Sequence, residues 1–144
     1  MAQVEKSVLV GFSAAQMFEL VDRVEAYPEF LPWCAKTDVK WRDQASVVAT
    51  VHIDYHHLKQ SFTTENVRQH PNLIEMRLRE GPFAALEGSW RFHELAADAC
   101  KVEFRLHYEF STKFVEGIVN PVFGLIARNL VEAFVLRAES IYGG

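Results

Sequence analysis

Cys100-Lys101-Val102-Glu103-Phe104-Arg105-Leu106-His107-Tyr108-Glu109-Phe110 alternates without a break between apolar and polar residues. Successive side chains of a strand point to opposite faces, so the run predicts a strand with one dry face and one wet face. Directly after it the period changes. Over 112–142 apolar residues recur at helical spacing, with Val122, Phe123, Ile126, Leu130, Phe134, Ala138 and Ile141 in the second part. Ser111 or Thr112 can cap this helix. Arg128 and Glu132 stand four apart on its polar side, with the arginine first, the weaker order. Pro121 predicts a kink or break near Asn120, and Gly143-Gly144 an end.

Working back from that strand, the same two-residue period recurs. It places Leu86, Gly88, Trp90 and Phe92 on one face of 86–95, and Ile74, Met76 and Leu78 on one face of 73–79. Leu58 and Phe62 share a face of 58–67, and Val47, Ala49, Val51, Ile53 and Tyr55 a face of 47–55. A shorter strand is expected near 37–42, and another over 3–12 with Val4, Val8, Val10 and Phe12 on one side. Ser13 caps a helix predicted over 14–24. In 27–34, Pro28 suits the first turn of a second short helix and Pro32 its end.

The chain has 144 residues, one domain's length, read here as a single unit over 1–144. Hydrophobic residues make up 49% and charged residues 24%, which speaks for a packed globular protein and against disorder. The net charge is −4, without the basic excess that tracking a phosphate backbone calls for, so DNA is not an expected partner. Two cysteines allow one disulfide at most, too few for a secreted disulfide scaffold. No signal peptide and no uninterrupted apolar run of about 18 residues is visible. The expected location is cytoplasmic, with peripheral contact at the inner membrane left open.

These elements predict an α+β arrangement: a seven-stranded antiparallel sheet with short connections, curved around one long C-terminal helix. The helix is the only element large enough to cover the dry face. Val51, Ile53, Met76, Leu78, Trp90, Phe104, Leu106, Tyr108 and Phe110 then either fill a core or line an apolar cavity against Ile118, Val122 and Ile126.

Tyr27-Pro28-Glu29-Phe30-Leu31-Pro32-Trp33-Cys34 resembles the YPxFLPxC signature of the coenzyme Q-binding, RatA-like family. Gly81-Pro82-Phe83 with Leu86, Gly88, Trp90 and Phe92 resembles its GPFxxLxGxWxF segment. The strand ending at Phe110 and the tail from Val122 through Phe134, Arg137 and Ala138 to Tyr142 are similar to the rest, so the likeness runs from about residue 3 to 142. The resemblance implies a START-like, polyketide-cyclase-like superfamily member with a helix-grip fold, and one of two activities. One is binding ubiquinone or another prenyl lipid in support of respiratory electron transport. The other is a toxin's action, of toxin–antitoxin type, in which the chain binds the large ribosomal subunit and blocks subunit association.

The first reading stands ahead of the second. A buried polyprenyl tail gains about 0.8 kcal/mol per CH₂. The quinone would be a bound ligand, not a catalytic cofactor. Tyr55 and Tyr108 offer hydroxyls to its head. Phe30, Leu31 and Trp33 would gate the cavity mouth or plug it, and Phe83 would face cavity or helix. The apolar stretch from Phe114 to Ile126 would be a buried helix, or a face for a membrane or partner. No catalytic motif is present, so no enzyme is expected. His52, Asp54 and His56 fall on one wet strand face, followed by His57, and no physiological metal is expected there. Arg68, Arg77, Arg79, Arg91, Lys101 and Arg105 fall at outward positions interleaved with glutamates, and cross-strand ion pairs would explain the mixture.

Overall fold

The computed structural model describes residues 2–143. Its seven strands are β1 (Ala2–Val10), β2 (Cys34–Arg42), β3 (Ser46–Tyr55), β4 (Leu58–Gln69), β5 (Leu73–Glu80), β6 (Phe83–Ala96) and β7 (Ala99–Phe110). They form one sheet in the order β1-β7-β6-β5-β4-β3-β2, antiparallel throughout. Each strand from β2 to β6 lies beside its successor, because the connections are tight. The β3–β4 turn carries His56 and His57 at φ 50° and 67°, the left-handed pair of a two-residue hairpin whose twist suits the strands. These two histidines therefore leave the strand face on which His52 and Asp54 remain.

Between β1 and β2 lie α1 (Ala14–Asp22) and a 3-10 helix (Val24–Glu29). Ser13 caps α1 by accepting from the Gln16 amide at 3.1 Å, and the Gln16 side chain accepts from the Ser13 amide at 2.9 Å, a reciprocal pair that satisfies two end donors. The expected 14–24 helix is thus shorter. Pro28 lies near the end of the 3-10 segment, not at its first turn. Thr112 caps α2 (Lys113–Tyr142), accepting from the Val115 amide at 3.1 Å. Gly143 closes this helix through its amide on the Glu139 carbonyl at 3.0 Å, and Gly144 lies outside the described residues.

Of the kink or break expected at Pro121, the break does not occur, and α2 runs on through it. Proline deletes the bond to the carbonyl four residues back and crowds it. That residue is Gly117, which is exposed and has open space where a side chain would stand. Water can take the freed carbonyl, and the helix continues. By length and composition α2 is apolar enough to cross a membrane, but 44% of its most apolar stretch is buried inside this protein.

The core lies between the concave sheet face and α2, with α1 closing one flank. Trp90, Phe92, Phe104 and Phe134 are each at most 2% exposed. Gly88 lets β6 pack closely, since a Cβ there would stand 2.7 Å from the Arg105 carbonyl oxygen. One expected outward residue turns in: Arg68 places Nε 2.7 Å from Asp22 Oδ1 at the end of α1.

Candidate functional site

Between sheet and α2 lies a cavity of about 90 Å³. The inward periods of five strands aim at it: Ala49, Val51 and Ile53 from β3, Phe62 from β4, Met76 from β5, Leu86 and Trp90 from β6, Phe104 and Leu106 from β7. Phe123, Ile126, Ala127, Leu130 and Phe134 of α2 form the opposite wall, and Val24, Tyr27 and Trp33 one end.

Aromatic clusters close the space on two sides. Phe83 stacks on Phe110 with ring centres 5.1 Å apart, and Phe123 meets Phe83 and Tyr108 edge-on at 5.0 and 4.9 Å. At the other side Tyr27 and Phe30 meet Phe134 edge-on at 5.4 and 5.3 Å, and Trp90 meets it at 5.2 Å. Such arrangements suit the ring quadrupoles. The Tyr27 hydroxyl donates to the Val21 carbonyl, and burial pushes its pKa up. Its polar end is thus spent inside the protein.

Of the residues expected from the sequence, Trp33, Val51, Ile53, Met76, Trp90, Phe104, Leu106 and Ile126 meet around the cavity. The others do not line it. Leu31 packs with Cys34 and Val51, Phe30 packs under Arg137, and Leu78 and Val122 pack in the core beside it. Phe83, Tyr108 and Phe110 belong to the closing aromatic cluster. Ile118 is 51% exposed on the outer side of α2. Tyr55 packs against His56 at the hairpin, so neither proposed tyrosine presents a hydroxyl to the cavity. Burial raises the pKa of Tyr108, and Arg128 opposes it in part.

Two polar residues missed from the sequence do face the cavity. Thr64 and Asn66 continue the inward period of Phe62 along β4. Thr64 is 7% exposed, and its hydroxyl donates to Asn66 Oδ1 at 2.9 Å. The spacing 62, 64, 66 marks both positions as inward, a signal that their polar character masks.

Among the described residues no three metal-ligating side chains cluster, and His52 bonds Asp38 at 2.8 Å instead. Both cysteines are free and buried. On the convex face Arg79 pairs with Glu65 at 2.7 Å and Lys101 with Glu103 at 3.2 Å. Arg77, Arg91 and Arg105 make no ion pair among the described residues.

Residues 10–135 match the family described as polyketide cyclase / dehydrase and lipid transport. The chain is 44% identical over 143 residues to the ribosome association toxin RatA of Vibrio cholerae serotype O1, covering 99% of each. It is 26% identical over 134 residues to the mitochondrial coenzyme Q-binding protein COQ10 of Drosophila melanogaster, covering 90% of this chain and 55% of that one. The Zhui aromatase/cyclase of Streptomyces sp. R1128 superposes with a TM-score of 0.84 at 17% identity, covering 99% and 98%, a likeness of fold.

Proposed function

Since this chain belongs to the polyketide cyclase / dehydrase and lipid transport family, and to its RatA-like, coenzyme Q-binding branch, we propose that it is a non-enzymatic ribosome-association factor. It binds the large ribosomal subunit and blocks subunit joining. The observation that carries this reading is the end-to-end 44% identity with the Vibrio cholerae toxin. The order of the two activities drawn from the sequence is therefore reversed, with ribosome binding ahead of quinone carriage. Arg77, Arg91 and Arg105 on the convex sheet make no ion pair among the described residues and offer a small contact for phosphate or acidic protein, with glutamates opposite them in the register (Glu65 and Glu87, Glu103, and Glu5). A net charge of −4 keeps the remainder from adhering to RNA without specificity. On this reading the chain works in the cytoplasm.

The test is a sucrose gradient of purified subunits reassociated with and without the chain. The expected result is fewer joined ribosomes, with the chain sedimenting beside the large subunit. An unchanged profile, with the chain left at the top of the gradient, would refute the reading.

A second reading has its own support in the apolar cavity. In it the chain takes up a prenyl lipid such as ubiquinone, at or near a membrane. About 90 Å³ is well below the roughly 300–1,000 Å³ of ordinary ligand pockets. Uptake therefore requires α2 or the 27–34 segment to move outward. Extraction of the purified protein into organic solvent, followed by mass spectrometry, tests this; no quinone in the extract and none taken up on titration would end it.

A further inference from the structure

We infer that Asn66, held by Thr64, is the specificity-determining residue of the cavity, and that it selects an apolar ligand carrying a carbonyl or similar acceptor oxygen. This rests on the cavity being a ligand site. The two residues stand on the same face of β4, two positions apart, both in the cavity wall. Across the strand pairings their neighbours are Ala49 and Leu78 for Thr64, and Val47 and Met76 for Asn66. The pair is thus a polar spot on an otherwise greasy wall.

Thr64 gives its only proton to Asn66 Oδ1 at 2.9 Å. That bond occupies the acceptor end of the amide and fixes its rotation. The free edge of Asn66 is then the Nδ2 group, a pure donor, on a half-buried side chain in the cavity wall. A ligand that brings an oxygen to this donor replaces its water with a hydrogen bond, whereas a pure hydrocarbon strips the water away and leaves the donor stranded, which is costly. Few, well-placed polar groups in an apolar pocket are what set ligand orientation. The Trp33 indole, also in the wall, lies on another element and would touch a different part of the ligand.

The experiment uses acetophenone and ethylbenzene, which differ by a carbonyl in place of a methylene. Both are titrated by calorimetry into wild type and into Asn66→Leu, whose folding is checked by thermal melting. The expected result is that Asn66→Leu weakens acetophenone about tenfold, the scale of one hydrogen bond, and leaves ethylbenzene unchanged or tighter. Thr64→Val, which frees the amide to rotate, should weaken acetophenone in the same direction by less. It supplies the test if the leucine variant does not fold. If both probes bind wild type and their ratio stays the same in the variants, the assignment of Asn66 is overturned while the cavity stands. If neither probe binds wild type, the ligand cavity itself is overturned.

Discussion

The guanidinium carbon of Arg137 lies 4.9 Å from the centre of the Phe30 ring. The same side chain bonds Glu29 at 2.9 Å. It ties the last turns of α2 to the segment that closes one end of the cavity. Glu29 is 64% exposed, so solvent screens the ion pair, and stacking on the ring carries most of the effect. Arg137→Ala is expected to cost about 1–2 kcal/mol in urea unfolding. It should also raise hydrogen exchange in residues 27–34. Arg137→Lys keeps the charge but loses the flat face, and should restore less than half. Full recovery by lysine would show that charge alone matters.

Size alone does not decide which substitutions the interior accepts. Val51→Phe points into empty space and should cost less than the roughly 1–3 kcal/mol of ordinary overpacking, while abolishing acetophenone uptake. Gly88→Ala adds far less volume, yet its Cβ would meet backbone 2.7 Å away. It is expected to be the more damaging of the two in thermal denaturation. The reverse order would mean that the cavity is not available to a larger side chain.

Cys34 and Cys100 are 5% and 0% exposed. Burial pushes both thiols up to about 11, with Glu94 adding to the effect at Cys100. At pH 8 neither should react with a disulfide reagent faster than the chain opens. The sign of the pH effect follows. A thiol whose pKa is raised on folding holds its proton more tightly when folded, so it takes stability away as pH rises from about 9 towards 11. Cys34→Ala with Cys100→Ala should flatten that alkaline decline, measured as urea midpoint against pH.

Asp22 and Arg68 form a half-buried pair, with side chains 16% and 17% exposed. The contact is close but off the hydrogen-bond direction, for Arg68 Nε has no hydrogen-bond partner. Burial raises the Asp22 pKa despite Arg68 and Arg42 nearby, so removing the pair from water outweighs its mutual attraction. Asp22→Asn removes the charge that burial disfavours and should leave the urea midpoint at pH 7 unchanged or slightly raised. Arg68→Met instead leaves the Asp22 carboxylate half-buried without its guanidinium and should lose about 1–3 kcal/mol, most of which Asp22→Leu in the same chain should regain. A double variant as weak as the sum of its singles would show that the two residues act independently.

The sheet and the long helix were legible because their periods are strict. Period two in β7 and helical spacing in α2 have few competing interpretations. The cavity wall was half legible. Inward-facing is a property of a strand and can be read from spacing, whereas cavity-facing depends on how the sheet curves. That is why Tyr108 and Phe110 point inward yet meet other rings. Tyr27 went unassigned because the 27–34 segment has no period to read. Asn66 is hard to read because a polar residue on a strand with one wet face normally points to water. Pro121 misled because the tolerance of its neighbour Gly117 is a matter of exposure, which spacing does not report.

β1 pairs with β7, placing Val4 opposite Leu106 and Val10 opposite Cys100. The first strand made is thus completed by the last, and α2 follows later still. While the chain grows, β1 has no partner and the greasy side of the sheet has no cover. Contacts between such distant parts form late, and exposed strand edges invite wrong partners in the interval. A nascent chain therefore cannot display its finished sheet until α2 has cleared the exit tunnel.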